Sequence, residues 1–297
     1  MRALLRAGLR RDLHSIYTWL ALLANLICGL IPLNAFKLYD TEFGGMDSGF
    51  VSLFLIVGMA ISVILRLLRG ALEHESGMSR NKLIGGASKG ELLLSELIIA
   101  CGTAFVQCVL TAGSILLFAL THVRYFEEAI ALRLFLVYLC SYLCFAVMMT
   151  LVWYYAPSTA AVIVIGSSLF AGIAMGGLML NAKLSLPQYF ITQTDIVKDK
   201  NGRMISHREE KTPNPEALHG RLRTFCQAVD TVNPLMTTLQ SVNLIDMYRY
   251  PEKERAASSE LKIEIQRTLS YRPASIFGAT LLLFAGGMLL APKKNFN

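Results

Sequence analysis

Polar and apolar positions along the chain fall into long blocks rather than short alternations. Five stretches contain no Asp, Glu, Lys or Arg: 13–36, 48–65, 97–123, 134–182 and 273–292. A bilayer core about 30 Å thick is crossed by a helix of roughly 20 residues. Four of these stretches therefore match one span each, and 134–182 is long enough for two. That stretch is interrupted by Tyr155-Ala156-Pro157-Ser158. Proline breaks a helix there and serine can cap the next one. The pattern predicts six spans, near 16–36, 49–68, 97–120, 133–155, 159–180 and 273–291.

The segments outside the blocks carry patterns of their own. Arg2, Arg6 and Arg10 recur every four residues, as do Leu5, Leu9 and Leu13. On a helix these make a basic stripe beside an apolar one, which predicts an N-terminal helix lying in the membrane interface. Residues 181–272 form a polar insert before the last span, predicted to be external and partly helical. Within it, Lys198-Asp199-Lys200-Asn201-Gly202 reads as a turn. Asn233-Pro234 reads as a helix N-cap followed by proline at the first helical position. Residues 260–269 read as a helix feeding the last span, although positions 261, 263 and 265 also alternate as in a strand.

Composition sharpens the class. The chain has 297 residues, 54% of them hydrophobic and 16% charged, with mean hydropathy +0.49. An ordinary soluble domain carries about 25% charged residues. Too few charges remain to coat a soluble globule, so soluble-enzyme, disordered and nucleic-acid-binding classes are excluded. The expected fold is an all-α integral membrane protein, one transmembrane domain over 1–297, with the lipid membrane as a partner and no nucleic acid.

Charge placement sets the expected orientation. Arg2, Arg6, Arg10 and Arg11 precede the first span. Arg66, Arg69, Arg80, Lys82 and Lys89 follow the second, and Lys293 and Lys294 follow the last. With six spans these lie on one side, against Lys37, Arg124 and Arg133 on the other. Cytoplasmic loops carry the excess of Lys and Arg, so a multi-pass protein of the cytoplasmic membrane with both termini cytoplasmic is expected. The insert holds fourteen further basic residues but is too long to obey that rule. Leu33-Asn34-Ala35 lacks a small residue at the outer cleavage position, and the apolar run is long for a leader. The first block therefore reads as a span.

Candidate chemistry is sparse. Cys28, Cys101, Cys108, Cys140 and Cys144 lie in apolar stretches and read as packing residues. Cys226 sits alone in the polar insert. The span centres hold no charged side chain, which argues against a proton- or sodium-coupled carrier. No G-x-x-x-x-G-K-[ST] phosphate loop occurs, and Gly85-Gly86-Ala87-Ser88-Lys89-Gly90 is only a turn-like echo of one. Glu127, Glu128 and Arg133 resemble a glutamate-protease signature with one residue too many between them, and no membrane-embedded histidine follows. Gly166-Ser167-Ser168 has no intramembrane base to activate a serine. The chain is expected to be no enzyme and to bind no cofactor or metal.

The connector at 69–92 is the most informative segment. The stretch that overlaps it from 73 to 96 reads Glu73-His-Glu-Ser-Gly-Met-Ser-Arg-Asn-Lys-Leu-Ile-Gly-Gly-Ala-Ser-Lys-Gly-Glu-Leu-Leu-Leu-Ser-Glu96. Gly77, Arg80, Asn81, Lys82, Leu83, Ile84, Gly85, Ser88 and Ser95 resemble a pattern of the membrane subunits of type-2 ATP-binding-cassette exporters, particularly those of Firmicutes. Met78-Ser79 and Lys89 depart from that pattern. Six spans and a long insert before the last are similar to the same family; Asn214-Pro215 and 235–240 are so only loosely.

The resemblance implies a permease subunit that exports an unidentified substrate. ATP and Mg would then be bound by a separate partner ATPase, docked on the connector at Gly77, Arg80, Asn81, Lys82, Leu83 and Ile84. It also implies a second permease subunit. Ser168, Gly172 and Gly176 share one face of the fifth span and suit close helix packing, within the chain or between two copies. Gln107, Thr111 and Ser114 give the third span a polar face. The competing expectation is a membrane sensor or scaffold with an external ligand- or partner-binding segment.

Overall fold

The computed structural model describes the backbone of residues 1–39, 48–123, 125–198, 204–248 and 267–293. Helix α1 (Arg2–His14) meets α2 (Ile16–Tyr39) at Ser15, and the two axes are bent by 66°. Trp19 Nε1 donates to the Leu13 carbonyl across this elbow at 2.8 Å. Helix α3 (Ser48–Glu75) is followed by the short α4 (Met78–Ile84). Helix α5 (Lys89–Cys108) runs through a π-helical turn, Val109–Gly113, into α6 (Ser114–His122). Helices α7 (Glu128–Tyr155) and α8 (Thr159–Ser185) follow.

Strands β1 (Tyr189–Lys198) and β2 (Met204–Pro213) pair antiparallel. Then come α9 (Gly220–Val232), α10 (Pro234–Met247), a π-helical turn Arg267–Tyr271, and α11 (Arg272–Leu290). Among the described residues, five helical runs are long and apolar enough to cross a membrane, and six if the bent α1/α2 pair is one span. The chain is a multi-pass membrane protein.

The helices begin and end where the local chemistry dictates. Ser88 Oγ accepts from the Glu91 amide, while Glu91 Oε2 accepts from the Ser88 amide; this capping box starts α5. Ser158 Oγ accepts from the Ala161 amide at 3.2 Å and starts α8, as the Pro157-Ser158 break predicts. Asn233 Oδ1 accepts from the Leu235 and Met236 amides and starts α10 at Pro234, again as predicted.

Helix α7 forms the centre of the bundle. Its Leu134, Tyr138, Tyr142, Phe145, Met149 and Trp153 recur at helical spacing and are all buried. Helix α3 meets it with Val51, Leu55, Met59, Val63 and Leu67, one buried residue per turn. Glycine permits close approach at several helix crossings. Gly70 lies against Trp153, Gly166 against Leu67, and Gly287 against Leu151.

The helices outrun several expected spans. Helix α3 continues past 68 to Glu75, α5 begins at Lys89 rather than 97, and α8 reaches Ser185. The polar residues that signal a span's end in sequence are here satisfied by neighbours and stay helical. The connector proper is thus shorter than 69–92.

The described part of the insert is partly helical and partly a hairpin. Its first part is a β-hairpin, and the expected turn at 198–202 falls between the two strands, with residues 199–203 outside the described set. The 260–269 helix likewise lies mostly outside the described residues. The α9–α10 pair does not stand clear of the bundle. Arg223 Nη2 donates to the Leu184 carbonyl at 3.2 Å, and Asn233 Nδ2 donates to the Ile173 carbonyl at 3.0 Å. Helix α9 therefore runs antiparallel along the last three turns of α8, about 16 Å. Helix α10 returns between α3, α7 and α8 with Leu235, Met236, Val242, Leu244 and Ile245 buried.

Candidate functional site

The resemblance centres on α4, so the site is built from there. Gly77 has φ 59° and starts the helix in the left-handed region, which glycine enters without a Cβ penalty. Gly86, two residues past the helix, has φ 90°. Between them α4 presents two faces. Leu83 packs against the core and Lys82 turns inward. Asn81 and Ile84 face outward, and Ile84 is 76% exposed. The side chain of Arg80 lies outside the described residues, though its backbone is part of α4.

Inward of α4 lies a knot of charged side chains from four helices. Glu96 of α5 is buried at its centre. Lys82 Nζ is 3.0 Å from Glu96 Oε1, and Arg11 Nη2 of α1 is 3.2 Å from the same oxygen. Arg66 and Arg69 of α3 each approach Glu96 Oε2 at 3.6 Å. Arg11 also pairs with Glu73, Arg69 pairs with Asp12, and Lys82 lies 3.8 Å from Glu73. Arg66 Nε donates to Thr150 Oγ1 at 2.9 Å, and its guanidinium sits 5.8 Å from the centre of the Trp153 ring. A buried charge is costly unless it is paired and hydrogen-bonded. Here each of these charges has an opposite partner, and the pairing fastens α1, α3, α4 and α5 together.

Both ends of the described chain gather here. The Met1 amino group is 3.4 Å from Glu91, and Lys89 Nζ donates to the Pro292 carbonyl at 3.2 Å.

Sequence reasoning missed this knot. From the sequence, Arg11, Arg66 and Arg69 read as charges that set orientation and Lys82 as a docking residue, and Asp12 and Glu96 have no role. The signal that could find them is spacing. Arg66, Arg69 and Glu73 lie three and four residues apart, on one face of a helix that never breaks.

A second polar cluster sits deeper. Thr111 Oγ1, in the π-helical turn, donates to Asn25 Oδ1 at 2.8 Å, and Tyr142 OH lies 3.5 Å from the same oxygen. All three residues are buried. The polar face predicted for the third span thus hydrogen-bonds a neighbour at Thr111. Gln107 is also buried, and its Nε2 has no hydrogen-bond partner among the described residues.

The predicted small-residue face of the fifth span points away from the bundle. Ser168 and Gly172 are exposed. Beyond the adjoining backbone of α8 itself, nothing among the described residues lies within 4 Å of a Cβ placed on Gly172 or Gly176. Their neighbours Gly166 and Gly177 carry the packing inside the chain instead. Glu127, Glu128 and Arg133 are exposed, and among the described residues no three metal-ligating side chains gather.

No family model matches this chain, and neither a curated protein nor a solved structure matches it.

Proposed function

We propose that the chain is the membrane-spanning permease subunit of an ATP-binding-cassette exporter. In this reading the end bearing α4 faces the cytoplasm of the cell membrane, and a separate subunit binds ATP and Mg. The observation that carries the reading is the mounting of α4. A short helix with exposed Asn81 and Ile84 is held from behind by Leu83 and by the Lys82–Glu96 pair. A push on such a helix passes to α3 and α5 without being lost in a slack loop. A second copy would pack on the outward face of Ser168, Gly172 and Gly176, where small residues allow close approach. The alternative, a sensor or scaffold, draws on the β1–β2 hairpin, a segment suited to holding a partner outside the membrane.

The proposal requires a phosphate-loop ATPase encoded beside this chain, and co-expression with that ATPase tests it. Wild-type chain should carry that ATPase through purification, and Ile84→Glu should insert normally but lose it. A wild-type chain that carries none overturns the permease reading. Equal retention by both chains overturns only the docking face.

A further inference from the structure

A small cavity lies inside the bundle, between α3, α5 and α7. Met59 and Ser62 of α3, Thr103 and Gln107 of α5, and Tyr142 and Phe145 of α7 are among its walls. Arg66, Arg69 and Asp12 stand at its connector end. Ser62 falls midway along α3, so the cavity lies well inside a span, where lipid offers no hydrogen bonds.

Size limits the occupant. The cavity leaves about 20 Å³ for the centre of a water-sized molecule. One water needs roughly 10–15 Å³ on that measure, together with polar partners to hold it.

The walls decide its chemistry. Gln107 is 2% exposed, and its Nε2 has protons to give and no partner among the described residues. Ser62 has already given its one hydroxyl proton to the Gly58 carbonyl, at 2.9 Å. Thr103 gives its own to the carbonyls of Ile99 and Ala100, at 3.1 and 3.0 Å. Both hydroxyl oxygens can therefore only accept from a further partner. The walls call for a molecule that accepts from an amide and donates to two hydroxyls. A cation would meet the amide protons, and an anion has no proton for the hydroxyls. Arg69 pairs with Asp12 and Arg66 lies 3.6 Å from Glu96, so neither guanidinium calls for a further counter-ion. Water has both functions and no charge.

We propose that this cavity binds one water, which accepts from Gln107 Nε2 and donates to Ser62 Oγ and Thr103 Oγ1. The bound water ties α3 to α5 one helical turn beyond Arg66, and does not depend on the ATPase reading.

Radiolysis of the full chain in nanodiscs, in heavy-oxygen water, tests it. Radicals made from a bound water oxidise the side chains beside it. Met59 lines the cavity and is 1% exposed, whereas Met149 is equally buried and lies outside it. Met59 should take up heavy oxygen several-fold faster than Met149. Gln107→Leu removes the donor at similar volume and should bring the two rates together. Equal rates in the wild type overturn the site. So does a fast Met59 rate that Gln107→Leu leaves unchanged, since solvent would then reach the sulfur without the amide. If Gln107→Leu does not fold, Ser62→Ala and Thr103→Val are compared with their double variant. Residues that share a partner do not add, so the double variant should melt higher than the summed single losses imply. Strict additivity overturns the shared water. Replacing chloride by gluconate at fixed ionic strength should leave the melting temperature in place. A saturable rise with chloride would put an anion in the cavity and overturn the water.

Discussion

Lys82 Nζ lies 3.0 Å from Glu96 Oε1, which turns this cation of α4 into the bundle. The same carboxylate is shared by Arg11, Arg66 and Arg69. Glu96→Gln removes the charge that holds four helices in register. Breaking a buried pair from one side costs about 3–5 kcal/mol, because the partners stay behind uncompensated. The expected outcome is a melting temperature in detergent lowered well beyond that of Lys82→Ala. Lys82→Ala should instead raise hydrogen exchange over 78–86 and leave the spans intact.

Arg272 and Asp230 form a second buried pair, with Nη2 and Oδ2 2.7 Å apart and both side chains sealed from solvent. Asp230→Ala removes the carboxylate from beside a buried guanidinium, and a loss of about 3–5 kcal/mol is expected. The double variant Asp230→Leu with Arg272→Met should recover most of that loss, since apolar replacements carry no desolvation cost. Thermal unfolding of the three chains in one detergent checks the ordering.

Gly166 and Gly172 are six residues apart on α8 and predict opposite outcomes. A side chain at 166 collides with Leu67, whereas 172 faces open space. Gly166→Leu should therefore destabilise by about 1–3 kcal/mol through overpacking. Gly172→Leu should leave the monomer's melting temperature unchanged. If a second copy packs there, the same substitution should shift the chain from dimer to monomer in cross-linking of native membranes.

The Asn25–Thr111 bond is short and buried, yet bonds of this kind between membrane helices average about 0.6 kcal/mol. A double-mutant cycle of Asn25→Ala and Thr111→Val should give a coupling below about 2 kcal/mol. The effect is expected on the fit of α2 against the π-helical turn rather than on whether the bundle forms.

The spans were legible because each is a long block free of charge, and their joints because Pro157-Ser158 and Asn233-Pro234 are local signals. The same rule, that charges end a span, hid the rest. Arg69, Glu73 and Glu96 continue their helices because they neutralise one another across helices, a relation no single segment displays. The α9–α10 pair was hidden similarly. Asp230 marks α9 as polar, and only Arg272, far along the chain, shows that the carboxylate is buried. Of the docking residues inferred from sequence, Asn81 and Ile84 are exposed on α4, whereas Lys82 and Leu83 turn toward the bundle.

The Asp230–Arg272 pair also fixes an order of assembly. The two residues are 42 positions apart, and a ribosome delivers Asp230 first. Until the last long helix emerges, that carboxylate lacks the Arg272 guanidinium that accompanies it into an apolar setting, so α9 is expected to stay at the water boundary. Biosynthesis therefore closes the bundle from its final helix. A nascent chain stopped before Arg272 should leave α9 open to protease, and one carried through α11 should protect it.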